Sequence, residues 1–92
     1  MSQIPFDVSK IKKEDINKEI LRTGIIAELD AISLYEQLAA MTDNGDMKKV
    51  LADIAKEEKT HVGEFQALLL KLDQEQTKEM EKGEKEVEEM TG

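Results

Sequence analysis

Two stretches of this chain carry apolar residues at alternating steps of three and four, and ionisable side chains interrupt both at the same level. The first reads Leu21, Ile25, Glu28, Ile32, Tyr35, Ala39. The second reads Met47, Leu51, Ile54, Glu58, His61, Phe65, Leu68, Leu72. That spacing is the buried stripe of an amphipathic α-helix, not the two-residue alternation of a half-buried strand. Between the stripes, Thr42-Asp43-Asn44-Gly45-Asp46 reads as a turn. Gly45 suits a left-handed position there, and Asn44 or Asp46 can cap the helix that follows. An all-α, antiparallel helical hairpin is expected.

Such a hairpin brings the interruptions together. Glu28 lies sixteen residues before Asn44, whereas Glu58 and His61 lie fourteen and seventeen after it. Equal counts from the turn of an antiparallel pair mean equal heights, here roughly 24 Å from the turn at ~1.5 Å per residue. Glu58 and His61 are three residues apart and share a helix face. An ionised carboxylate in an apolar seam is strongly disfavoured unless its charge is compensated. A metal ion held by Glu28, Glu58 and His61 would compensate it. Singly, each residue has an ordinary explanation: an interfacial acid paired to a lysine, a chance Glu-x-x-His in an acidic helix, a satisfied core histidine. It is the conjunction at matching height that points to metal, since the seams offer no Lys or Arg at that level.

Around these stripes the chain reads as one domain over 1–92. Residues 1–10 form an extended lead, with Pro5 and Phe6 available to pack on a neighbour. The first helix is expected over 11–41 with Ser9 or Asp15 as N-cap, and the second over 46–72. Asp73-Gln74-Glu75-Gln76 resembles a capping box, so a third helix is expected over 74–90. Its apolar face is sparse, limited to Met80, Val87 and Met90, and Gly83 interrupts it. The rest is Glu and Lys, which reads as a solvated face.

The first segment has a second apolar stripe, Ile20, Gly24, Ala27, Ala31, Leu34, Leu38, and the second adds Ala55, Val62 and Leu69. Two helices facing only each other need one stripe apiece. The surplus predicts further protein on the hairpin, hence an obligate oligomer.

The formal charge of −8, with 37% charged residues, argues against nucleic-acid binding, which needs clustered Lys and Arg. Without cysteine, disulfides, iron–sulfur clusters and Cys zinc sites are excluded. No secretory signal is recognised, and no stretch approaches the ~20 apolar residues of a membrane span. A soluble cytoplasmic protein is expected. Near the candidate ligands, Tyr35 is a candidate hydrogen-bond partner or weak ligand, with an amphipathic core tyrosine as the alternative. Asp30 and Glu57, with Glu36 and Glu64, are candidates for guiding cations inward or are solvated surface charge. The five methionines read as packing.

One known di-iron architecture draws a Glu from each of two helices and a Glu-x-x-His from each of two others in a four-helix bundle. This chain carries half of that set, and two copies about a two-fold axis would complete it. Carboxylate oxygens favour Fe(III), and bridging carboxylates hold two ions ~3.5–4 Å apart.

The motifs Ala27-Glu28-Leu29-Asp30-Ala31, Leu34-Tyr35-Glu36-Gln37 and Glu57-Glu58-Lys59-x-His61-x-Gly63-Glu64-Phe65 resemble those of the encapsulated ferritins, over roughly Ile16 to Gly92. The likeness is to members fused to the N-terminus of an encapsulin shell protein. The tail from Gly83 looks like the run towards such a shell domain, and the cargo-loading peptide of standalone members is not seen. A domain excised from a longer fusion is therefore one expected arrangement.

The resemblance implies a two-helix hairpin plus a short C-terminal helix, dimerising into a ferritin-like four-helix bundle. It implies a decameric ring of five dimers, two irons per subunit pair bound by Glu28, Glu58 and His61, and Tyr35 near the metal. It implies ferroxidase activity feeding iron storage inside an encapsulin nanocompartment, with Mn, Zn or Ca as surrogate ions. One departure concerns the glutamate cluster through which members take up iron: Ala27 and Asp30 stand at matching positions. The rivals are a rubrerythrin-like peroxide reductase, disfavoured by the missing rubredoxin cysteines, and a non-enzymatic helical oligomerisation module.

Overall fold

A computed structural model of the chain describes Ser9 and residues 12–92. Most of the expected lead, with Pro5 and Phe6, and the expected helix start at Ile11 lie outside the described residues. A 3-10 turn, Lys13–Asp15, leads into α1 (Ile16–Met41); α2 spans Gly45–Leu72 and α3 spans Gln74–Thr91. Asp15 occupies the N-cap of α1 but makes no capping bond with its side chain. Its carboxylate lies 3.9 Å from Lys18 Nζ instead. The turn before α1 already bends the chain into helical geometry, leaving Asp15 in the helical region rather than in the extended conformation a capping side chain needs.

The three residues linking α1 to α2 are extended at both ends, Thr42 at ψ 141 and Asn44 at ψ 114. Asn44 Oδ1 accepts from the Met47 N–H at 3.0 Å, so Asn44 is the cap. Thr42 Oγ1 accepts from the Asn44 N–H at 3.1 Å, and Lys48 Nζ donates to the Ala39 carbonyl at 2.6 Å, satisfying a last-turn oxygen of α1. Gly45 does not take the left-handed position expected of it. It is the first residue of α2, and Gly92 is the only described residue with positive φ. Lys48 rather than a left-handed glycine serves the Ala39 carbonyl.

Cross-helix contacts run in reverse order along the two helices: Ala39 to Lys48, Glu36 to Lys59, Glu28 to His61. The hairpin is therefore antiparallel. A single residue, Asp73, then turns α2 into α3. Its N–H donates to the Leu69 carbonyl at 2.9 Å, closing α2, and its Oδ1 accepts from the Gln76 N–H at 3.0 Å, opening α3. Only half of the expected capping box forms, because Leu69 already holds the Asp73 N–H that Gln76 would have used. The other carboxylate oxygen, Oδ2, accepts from Arg22 Nη2 at 3.0 Å, and Arg22 Nη1 donates to Glu19 at 2.8 Å. α3 leaves the hairpin in its own direction, giving a flat molecule of 46 × 43 × 19 Å, two helix diameters thick at about 10 Å each.

On α1 both buried residues, Leu21 and Ala39, come from the expected stripe, whereas on α2 the seam is rotated from it. On α2 the buried residues are Ala55 at 2% exposure and Leu69 at 6%, both from the flanking stripe. Met47, Leu68 and Leu72, from the expected seam, are 49–53% exposed. Ala39 and Ala55, both buried, are small residues in the seam, which lets the backbones approach at their levels. Met47, Leu68 and Leu72 are left facing outward. Among the described residues no helix is long and apolar enough to cross a membrane.

Candidate metal centre

The hairpin places Glu28 on the α1 side of the seam and Glu58 and His61 one turn apart on α2. Ligand atoms of all three lie within 4.8 Å of one another. His61 Nδ1 is 3.3 Å from Glu58 Oε2 and 3.5 Å from Glu28 Oε2. Two ligands bonded at ~2 Å to one ion can stand up to ~4 Å apart, so both separations suit shared coordination. The two carboxylates are largely shielded, at 20% and 19% side-chain exposure, while the imidazole is 45% exposed.

Charge and hydrogen bonding leave this cluster incomplete. His61 Nδ1 is within hydrogen-bonding distance of Glu58 Oε2, with the donor and acceptor roles set by the imidazole tautomer. Glu28 Oε2 is buried and has no hydrogen-bond partner. No Lys or Arg forms an ion pair with either glutamate among the described residues. Lys59, the nearest in sequence, pairs with Glu36 at 3.1 Å on the surface. A buried acceptor of this kind is costly unless a cation meets it. Oxygen donors with one imidazole suit iron, manganese or zinc.

His61 also sits in line with the outward apolar stripe. Met47, Ile54, His61 and Leu68 recur every seven residues, and Met47 and Leu68 are more than half exposed. At the open end of the hairpin Ile20, 54% exposed, lines an apolar groove of about 280 Å³ with Leu68 and Leu72. His61, the most exposed of the three candidate ligands, lies on the same heptad line as Met47 and Leu68.

The rubrerythrin family profile matches residues 19–91. A crystal structure of the encapsulated ferritin domain from Pyrococcus furiosus superposes with a TM-score of 0.85 at 49% identity, covering 100% of this chain and 94% of that one. The chain belongs to the encapsulated ferritin family. Its all-α hairpin is the ferritin-like fold. Two curated relatives agree. The ferritin-like–encapsulin shell fusion protein of P. furiosus is 58% identical over 80 residues, 87% of this chain. The encapsulin nanocompartment cargo protein EncC of Myxococcus xanthus is 45% identical over 56 residues, 61% of this chain. The chain spans 23% of the length of the first and the match covers 43% of the second.

Against this encapsulated ferritin framework the other candidates fall apart from the cluster. Tyr35 is half-buried on the same stripe as Glu28, and no hydrogen bond joins it to the three candidate ligands. Asp30 is half-buried beside a small polar cleft with Ser33, Leu34 and Gln37, away from the ligand atoms. Glu57 and Glu64 are exposed. The part-buried contact that sequence reasoning missed is Arg22 to Asp73. These residues are 51 apart in the chain, and no local spacing announces the pair. The only signal was Asp73 itself, already marked as a cap. Its carboxyl is held below the ordinary carboxylate range, chiefly by the Gln76 N–H, against the opposing effect of burial and with help from the Lys18 and Arg22 charges.

Proposed function

We propose that this encapsulated ferritin is a ferroxidase. Two Fe(II) ions, as substrate, bind between the Glu28, Glu58 and His61 sets of two paired chains. The observation that carries the reading is the buried Glu28 oxygen with no hydrogen-bond partner, gathered with Glu58 and His61 and with no Lys or Arg paired to it among the described residues.

One chain offers three ligand residues, and a two-metal site needs about twice that number. The exposed Met47 and Leu68 on the heptad line of His61 support a second copy docking there, which would bring the matching half. Each chain then does the same work. Glu58 and His61, fixed one turn apart on a rigid helix, hold one ion, and Glu28 reaches from the opposite helix to bridge. The apolar surroundings exclude water from the carboxylates and raise their pull on a cation. Each Fe(II) gives up one electron. Oxygen takes both, with two protons from solvent, to give hydrogen peroxide, and the Fe(III) pair leaves for mineralisation. Manganese, zinc or calcium fit the same oxygen and imidazole donors as surrogates.

The dimers are proposed to assemble as a ring of five, and an encapsulin shell protein is the proposed partner, covalently joined as in the P. furiosus fusion protein. The working location is then the interior of an encapsulin nanocompartment in the cytoplasm. The rubrerythrin profile keeps one second reading in play, reduction of peroxide at the same ligands.

The test is to load apo protein anaerobically with increasing Fe(II), admit oxygen, and follow ferric absorbance against a protein-free blank. A fast phase saturating at about one iron per chain is the expected result of a shared two-metal site. Oxidation no faster than the blank, with no iron retained, would sink the assignment. Faster oxidation with peroxide than with oxygen would move it to the peroxide reading.

A further inference from the structure

We propose that Gly24 and Phe65 form a steric stop that sets the gap between α1 and α2 one helical turn from Glu28, Glu58 and His61. This rests on the metal-site reading above and makes both of them positioning residues for that site.

The stop is visible in the spacing. A Cβ at Gly24 would meet Phe65 Cε2, Cδ2 and Cζ at 3.2, 3.3 and 3.4 Å. Carbon atoms prefer about 3.5–4.0 Å. The edge of the ring therefore rests on the α1 backbone itself, at the one place where α1 has no side chain to hold it off. Gly63 and Gly83, also inside helices, have nothing within 4 Å of the same position. A glycine in a helix interior is unfavourable relative to alanine. At Gly24 the close approach accounts for it; at the other two no contact does.

The stop lies beside the ligands. Gly24 precedes Glu28 by four residues, and Phe65 follows His61 by four. In an antiparallel hairpin both steps lead towards the same end, so the stop stands ~6 Å along the helix axes from the cluster. Phe65 also continues the α2 stripe that carries Glu58. A methyl group at Gly24 would force the ring or the helix to give by a few tenths of an ångström. Metal–ligand distances tolerate about ±0.2 Å. Glu28 has three side-chain torsions with which to follow such a shift. His61 has two and a rigid ring, so the imidazole is the ligand that loses alignment.

The test is anaerobic Co(II) titration, read by visible absorbance and by calorimetry, on the parent chain, Gly24→Ala, and Gly24→Ala with Phe65→Leu. Circular dichroism checks that each variant is as helical as the parent. Gly24→Ala is expected to weaken Co(II) binding about tenfold or more and to change the absorbance envelope, without lowering the melting temperature of the apo protein. Phe65→Leu, by shortening the ring that the methyl pushes on, is expected to restore most of the affinity. Parental affinity and spectrum in Gly24→Ala would overturn the proposal, and so would a double variant that binds no better than the single one. A parent chain that binds no Co(II) would overturn the metal-site reading itself, and this inference with it.

Discussion

Two charged clusters bridge the hairpin, one near its open end and one further in, and they differ in where the compensating charge comes from. Arg22 meets Glu19 at 2.8 Å and Asp73 at 3.0 Å, so the chain supplies its own cation. The cluster of Glu28, Glu58 and His61 has two carboxylates, one titratable ring and no Lys or Arg. Arg22 and Glu28 are only six residues apart on α1. The same helix therefore carries a closed charge set and an open one within two turns. A closed set holds structure together, here by pinning the junction of α2 and α3. An open set keeps an oxygen in reserve for something from outside. Balance within a cluster, more than the number of acids in it, separates the two roles.

The contrast is broken most sharply at the open set. Glu58→Ala should slow ferric formation by about a hundredfold or more, since losing even an outer partner of a metal ligand costs 10–100-fold. Stopped-flow absorbance after mixing with oxygen reads this directly, and a parental rate would end the assignment of Glu58. Asp73→Ala should leave the rate per folded chain near parental, because its partner is Arg22.

Stability should move in opposite directions at the two sets. Glu28→Gln removes an uncompensated buried charge, so the apo chain should melt a few degrees higher than the parent. The parent should gain about 2.7 kcal/mol when Co(II) is present at a hundred times its dissociation constant, and Glu28→Gln should gain little. Thermal melts with and without metal give all four values. A lower apo melting temperature for Glu28→Gln would mean that the oxygen is satisfied after all.

The closed set should instead show an acid limb. The Asp73 carboxyl is depressed in the folded chain. Its stabilisation is therefore present above the unfolded-state value of about 3.9 and is lost as pH falls through the lower folded-state value. Asp73→Asn keeps a capping oxygen but loses the charge. Urea unfolding should find it less stable than the parent at pH 7, with the difference closing below about pH 4. A difference independent of pH would assign the effect to the cap alone.

The smallest effect belongs to a third cross-helix pair. Lys59 and Glu36 are 3.1 Å apart but 59% and 54% exposed. Water already solvates both charges, so Lys59→Ala should change stability by less than about 1 kcal/mol, measured by the same urea titration.

Much of the arrangement was legible because it depends on short-range chemistry. The heptad-like stripes, the Asn44 cap and the Asp73 cap each involve residues within a few positions of one another. The equal heights of Glu28 and of Glu58 with His61 follow from counting outward from Asn44. Other features were misjudged for reasons that are equally physical. Gly45 looked like a left-handed turn residue, but Lys48 reached back to the Ala39 carbonyl and closed the helix without one. Gln76 looked like the second half of a capping box, but the carbonyl of Leu69 took the donor first.

By itself, then, the sequence determined that the chain is a helical hairpin with a third helix, and which three ionisable side chains stand at one level. Periodicity and capping act over one or two turns, and a string of residues records them fully. Only the tertiary structure decided how far each helix is rotated about its axis. That rotation set Ala55 and Leu69 in the seam, left Met47, Leu68 and His61 on an open face, brought Arg22 to Asp73, and left one oxygen of Glu28 buried without a partner. Rotation is settled by how side chains of different size fit across the interface, Ala39 and Ala55 in the seam and the ring of Phe65 against Gly24, and such fits join residues far apart in the chain.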